Sequence, residues 1–195
     1  MPPLSIRSRN WLAQDELLGP VYDLYLLGLY APRTHIEFVY LSLTEGLEAL
    51  HARKFPHYDL PKDAHAMRMT AILESAPPEW REWLAEKLGP SNRATFRDGL
   101  SDLVATLPPT LTKHVGDADS FTRLVSWTRN YLTHWTPELE RKAAKAEKLV
   151  KLTVALRLLL ESLLLLEVGF SRDDVERLYA DNNAIQRDLH FAFRS

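Results

Sequence analysis

Arg129, Asn130 and His134, in the run RNYLTH, place a permanent cation, an amide and a titratable imidazole within six residues of one another. A guanidinium keeps its charge and can grip two phosphate oxygens at once. An imidazole changes protonation near neutral pH and can move a proton. Together these groups are suited to cutting RNA. No other Arg in the chain has a His at this spacing.

The element that must position them is a helix. Advancing about 100° per residue, Phe121, Leu124, Val125, Thr128, Leu132 and Trp135 fall on one side and are predicted to form its core seam. Asp119 or Ser120 caps its start and Pro137 ends its regular ladder. Arg129 sits at the edge of the seam, Asn130 nearly opposite it, and His134 one turn beyond Asn130. The trio therefore faces solvent, a ligand or another chain. Arg129 and His134, five residues apart, are not immediate helical neighbours, yet the long Arg side chain could converge on a phosphate near the imidazole in a groove. A two-fold pairing of this face would set two arginines and two histidines around one phosphate. The plain structural alternative is three solvated side chains on an exposed helix.

The rest of the chain reads as helices. It has 195 residues, 46% of them hydrophobic, which suffices for one substantial core, and seven glycines among many Leu, Ala, Glu and Arg favour an all-α fold. Residues 1–14 read as a flexible lead and 15–181 as the helical domain, with 56–109 an elaboration of short helices and 182–195 a polar tail. Helices are predicted over Asp15–Tyr30, from Thr34 to about Lys54, near Asp63–Ser75, Pro78–Leu88 and Arg93–Thr106, and from about Glu138 to Val168. In the last of these, Leu149, Leu152, Leu156, Leu159, Leu163 and Leu166 alternate steps of three and four and require a helical partner. Lys151, Arg157, Glu161 and Glu167 interrupt the stretch, so it reads as a buried amphipathic helix with no membrane role. Ser171 with Asp174 resembles a capping box opening a short helix to about Ala180.

A net charge of −2 excludes the broad positive field of a nonspecific duplex DNA binder. The absence of cysteine excludes disulfides, Cys-ligated zinc, iron–sulfur clusters and thiol catalysis, and suits a cytoplasmic protein. His51, His57 and His65 lack the motif of a metal site, and no phosphate-binding loop or nucleophile elbow is present, so neither cofactor nor metal is expected. The basic run Arg141–Lys148 could touch an RNA backbone, although a solvated helix face explains it more simply. Tyr131 and Trp135, at or beside the seam, are predicted to pack in the core rather than stack on bases.

RNYLTH resembles the HEPN superfamily, whose RNases carry Arg, often followed by a polar residue such as Asn, then a spacer and His near a helix end. The segment FVYLSLTEGLEALHARKF, Phe38 to Phe55, is similar to the second main helix of the ApeA-like HEPN group, and LLLLEVGFS, Leu163 to Ser171, resembles that group's closing helix. The resemblance implies a HEPN-like helical bundle with short helices between the main ones. It also implies a metal-independent endoribonuclease working as a homodimer in anti-phage abortive infection or toxin-type defence. In that chemistry the RNA 2′-hydroxyl attacks the adjacent phosphate, His134 moves a proton, Arg129 stabilises phosphoryl charge and Asn130 orients the phosphate or His134, leaving a 2′,3′-cyclic phosphate. Because ApeA-like proteins usually carry a largely β N-terminal region, a sensor domain or an antitoxin outside this chain is an implied partner. Glu48 supports the site only if the second helix packs beside the motif helix. Its spacing favours a local pair with His51 on an exposed stripe. The rival to catalysis is a noncatalytic HEPN dimerisation or interaction module.

Overall fold

A computed structural model describes residues 15–30, 34–55 and 58–194, with side chains from residue 18 onward. The described residues hold eleven α-helices: α1 (Asp15–Tyr30), α2 (Ile36–Lys54), α3 (Lys62–Ser75), α4 (Arg81–Leu88), α5 (Phe96–Ala105), α6 (Pro109–Val115), α7 (Ala118–His134), α8 (Pro137–Glu140), α9 (Ala146–Glu167), α10 (Arg172–Asp181) and α11 (Asn183–Phe193). The fold is all-α, and the described residues contain no strand beyond one isolated bridge, Tyr58 to Arg93. They also contain no helix long and apolar enough to cross a membrane.

The chain divides into two compact units, Met1–Arg53 with Phe96–Ser195, and Lys54–Thr95. In the larger unit α9 is the central helix. Leu149, Leu152, Leu156, Leu159 and Leu163 are buried as their spacing predicts, but so are Leu158, Leu160 and Leu164, so the middle of the helix is covered all round. Several elements provide that cover. Gly46 of α2 brings the backbone so close that a Cβ there would stand 3.0 Å from Leu160. The buried Tyr179 of α10 donates its hydroxyl to the Leu158 carbonyl at 2.8 Å, and α11 lies along α9 with Leu189 fully buried.

Two expectations need correction here. The sequence of residues 182–195 reads as a polar tail, yet Asn182 caps α11 by accepting from the amides of Ala184 and Ile185 at 2.9 and 3.2 Å. Local polarity hid a helix whose apolar positions, including Leu189 and Phe193, are spaced to meet α9. The predicted Glu138–Val168 helix is likewise broken. It resolves into the single turn of α8 and a separate α9, because the buried Ala144 amide leaves the helical pattern to donate to Thr128 Oγ1 at 2.9 Å. The capping box at Ser171 forms with both arms, Asp174 N–H to Ser171 Oγ at 3.1 Å and Ser171 N–H to the Asp174 carboxylate at 3.2 Å. The Ser171 hydroxyl, which donates to the Asp174 carboxylate at 2.9 Å, and then the Ser171 amide hold that carboxyl below its usual range.

The smaller unit is built on polar backbone bonding more than on burial. Neither α3 nor α4 has a buried residue, and Trp80 and Trp83 meet edge to face at 6.0 Å while both stay exposed. Its pin is Asn92, whose buried amide accepts from Leu60 N–H at 2.9 Å and donates to Leu60 C=O at 3.0 Å.

At Gly99, α5 comes close to α2. A Cβ there would meet His51 Nδ1 at 2.9 Å and Cγ at 3.0 Å, and His51, 4% exposed, pairs through Nε2 with Asp102 at 2.9 Å. Gly99→Ala is therefore expected to destabilise the fold by about 1–3 kcal/mol through overpacking, although alanine suits a helix better than glycine. Urea unfolding checks this, and a variant as stable as the parent would show that His51 can swing aside.

Candidate active site

The motif helix α7 opens on Asp117, whose carboxylate accepts the Asp119 amide at 3.2 Å, two residues ahead of the predicted cap. Thr122, Val125, Thr128 and Leu132 are its buried face, and they orient everything else on the helix. Thr128 sits in that face because its hydroxyl is bonded on both sides. It donates to the Leu124 carbonyl at 2.8 Å and accepts the Ala144 amide.

α2 lies beside α7. The buried Tyr40 of α2 donates its hydroxyl to the Val125 carbonyl at 2.7 Å, an oxygen that α7's own ladder also uses. Burial pushes the Tyr40 phenol far above its usual range and outweighs the opposing pull of the Thr128 hydrogen bond and the Arg129 charge. Tyr40 thus stays neutral and fastens two helices.

Arg129 reaches from α7 onto α2. One guanidinium nitrogen, Nη2, lies 2.6 Å from Glu48 Oε2 and 3.2 Å from Glu45 Oε1, and the guanidinium carbon stands 4.9 Å from the centre of the Phe96 ring. The side chain is only 24% exposed and its Nε is buried with no hydrogen-bond partner among the described residues. Two carboxylates thus face one cation. Glu45 and Glu48 are each about half exposed, so solvent screens both pairs, and each contributes no more than about 1 kcal/mol. Their larger effect is to fix where the guanidinium points.

The other two motif residues are elsewhere on the helix. His134 is the last residue of α7 and is exposed, with no hydrogen bond or ion pair among the described residues. Asn130 is half-buried one turn before it. Five residues of α-helix rotate a side chain by about 140°. Arg129 is accordingly turned down onto α2 while Asn130 and His134 share a separate face.

The structure brings Glu48 to Arg129, which spacing alone did not favour. The predicted local pair of Glu48 with His51 is absent, because His51 lies on the buried side of α2 and turns to Asp102. Trp135 is a second correction. Expected in the core seam, it is 62% exposed, since α7 ends at His134 and Trp135 turns into the left-handed region at φ 53°. Tyr131 follows it out of the core to half-burial. The run Arg141–Lys148 is not one solvated helix face but a turn followed by the start of α9, with Lys142 and Lys145 lying over aromatic rings of α7. Of the other histidines, His65 lies on α3 in the smaller unit, and His57 lies outside the described residues. Sequence reasoning overlooked Glu45 and Phe96. Glu45 was readable as the acid one helical turn before Glu48, whereas nothing in the local sequence marks Phe96 as the ring beneath a guanidinium.

Comparison with known proteins adds one match. No curated protein and no solved structure matches the chain. A family model described as Apea-like HEPN matches residues 41–174, from the first third of α2 through α7 and α9 to the start of α10. That span holds Arg129, Asn130, His134 and both carboxylates on Arg129, and it covers more than half of the chain, which therefore belongs to the Apea-like HEPN family.

Proposed function

We propose that this chain is a metal-independent endoribonuclease whose active site is shared between two copies, acting in an anti-phage abortive-infection or toxin-type defence system. Membership of the Apea-like HEPN family supports a nuclease-like or defence-related domain. The finer reading rests on one observation, the divergence of Arg129 and His134 around α7, with Arg129 held on α2 and His134 left exposed. A single helix does not aim both at one phosphate. A second copy related by a two-fold axis supplies the missing half.

The chemistry follows from the residue types. The RNA 2′-oxygen attacks the adjacent phosphorus, the bond to the 5′-oxygen breaks, and the products are a 2′,3′-cyclic phosphate and a 5′-hydroxyl. His134 takes the 2′-hydroxyl proton or delivers one to the leaving oxygen. Arg129 stabilises charge on the nonbridging oxygens, and Asn130 orients the phosphate or the imidazole. Glu48 acts through Arg129 as a positioning residue. Glu45 adds a second negative charge beside the cation, which opposes phosphate entry.

That excess negative charge also favours a second reading. A guanidinium already taken by two carboxylates suits a noncatalytic HEPN interaction module. Labelled RNA incubated with purified protein in EDTA separates the two. The enzyme reading expects cleavage to a cyclic phosphate, reduced by about 10²–10⁴ in His134→Ala and by about 10²–10³ in Arg129→Ala. No cleavage of any RNA, or equal cleavage by both variants, removes the assignment.

Mixing the two inactive variants tests the sharing of the site. A Arg129→Ala chain combined with a His134→Ala chain is expected to regain activity, and a mixture as inactive as its parts would place the site within one copy. The carboxylates are expected to separate as well. Glu45→Gln should lower KM by about two- to fivefold, the scale of one screened surface charge. Glu48→Ala should instead lower kcat, with Glu48→Gln retaining more of it. Steady-state kinetics on one oligonucleotide checks both, and parallel effects of the two substitutions would contradict the division of roles.

A further inference from the structure

Arg123, Trp127, Tyr131 and Trp135 recur every four residues along α7. That spacing makes a slowly winding stripe on one face of the helix. Two neighbouring pairs along it are in contact. The Arg123 guanidinium lies 5.8 Å from the centre of the Trp127 ring, and Tyr131 and Trp135 meet at 5.2 Å between centroids. From the turn between α8 and α9, Lys142 stands 5.1 Å from the Trp127 ring and Lys145 5.7 Å from the Tyr131 ring. His134 is exposed on this same side of the helix, and Arg129 points away from it.

Trp135 is the exposed end of the stripe and carries a backbone anomaly. At φ 53° and ψ 34° it occupies the left-handed position that closes a helix, where glycine or asparagine fits without strain and a bulky side chain is an outlier. Its amide caps the helix by donating to the Tyr131 carbonyl at 2.6 Å, a bond that any non-proline residue would make. The indole therefore adds nothing to the cap, and it is 62% exposed immediately after His134.

We propose that the Trp127–Tyr131–Trp135 stripe is a base-stacking track for unpaired RNA and that Trp135 is the platform for a nucleobase next to the scissile phosphate. The proposal rests on the nuclease reading above and adds to it a binding site that reading does not require. A flat aromatic face accepts any base, and bases in a duplex are already stacked on one another and cannot reach it. The cations beside the rings suit the RNA backbone better than an apolar protein surface. They are partly committed, Lys145 to Glu140 at 2.7 Å and Arg123 to Asp119 at 2.9 Å, while Lys142 has no carboxylate partner among the described residues. Stacking therefore carries more of the affinity than charge does. With three cations at most, the salt dependence on single-stranded RNA should have a log–log slope no steeper than about −2.

The test uses His134→Ala protein, so that RNA is not consumed, and a fluorescein-labelled single-stranded oligoribonucleotide followed by anisotropy, with mass by light scattering. In that background Trp135→Ala is expected to raise Kd about tenfold. Trp135→Phe should keep most of the affinity. A duplex of the same sequence should bind at least tenfold more weakly than the single strand. Trp135→Gly guards against a folding artefact, since glycine relieves the left-handed strain. It should melt no lower than its parent and still bind as poorly as the alanine variant. Unchanged affinity in Trp135→Ala, a duplex bound as well as the single strand, or a change in oligomeric mass with RNA affinity intact would overturn the track, the last by making the face a contact between copies. The two readings fail separately. An intact chain that binds RNA through Trp135 yet cuts nothing overturns the nuclease and leaves the track standing. An intact chain that cuts RNA with KM indifferent to Trp135→Ala overturns the track alone.

Discussion

The position of Arg129 depends on the contact between α2 and α7. A guanidinium at the edge of an isolated helix would sample many rotamers in water. Here the Tyr40 hydroxyl fixes the two helices at Val125, and Glu45, Glu48 and the Phe96 ring all lie against the guanidinium. The confinement is one-sided, because the same geometry leaves His134 without any partner among the described residues. One motif residue is held in place while the other, five residues on, is free to meet whatever approaches. Everything proposed about a shared site descends from that asymmetry.

Much of this was legible in the order of residues, and the limits were physical. The leucine spacing of α9, the cap at Ser171 and the span of α1 follow from periodicity and capping chemistry, which act within a few residues. The interruption between α8 and α9 was hidden because its cause, the hydroxyl of Thr128, lies sixteen residues earlier in the chain. Likewise α11 looked like a tail until its apolar face met α9. A helical wheel that sets Trp135 in the seam runs one residue beyond the end of the helix. No wheel signals where the backbone turns left-handed.

At the site, residue types announced the chemistry, but pairing could not be read. Glu48 had two geometrically reasonable partners, His51 on its own helix and Arg129 on another. Burial decided between them, because His51 faces inward against α5 where Gly99 leaves room for its ring. The glycine and the carboxylate pairing thus belong to one arrangement.

The central helix has one more consequence, which concerns timing. Leu149 to Leu164 are buried in part by α10 and α11, so a chain made from its N-terminus exposes this leucine face until residues 172–193 have also emerged. During synthesis α7 is complete well before its surroundings are, since its Thr128 accepts the amide of Ala144, in the turn that precedes α9. A nascent chain therefore carries the motif residues for some time without the packing that orients them. In the proposed nuclease, this order of assembly would delay a finished site until α9 to α11 have packed.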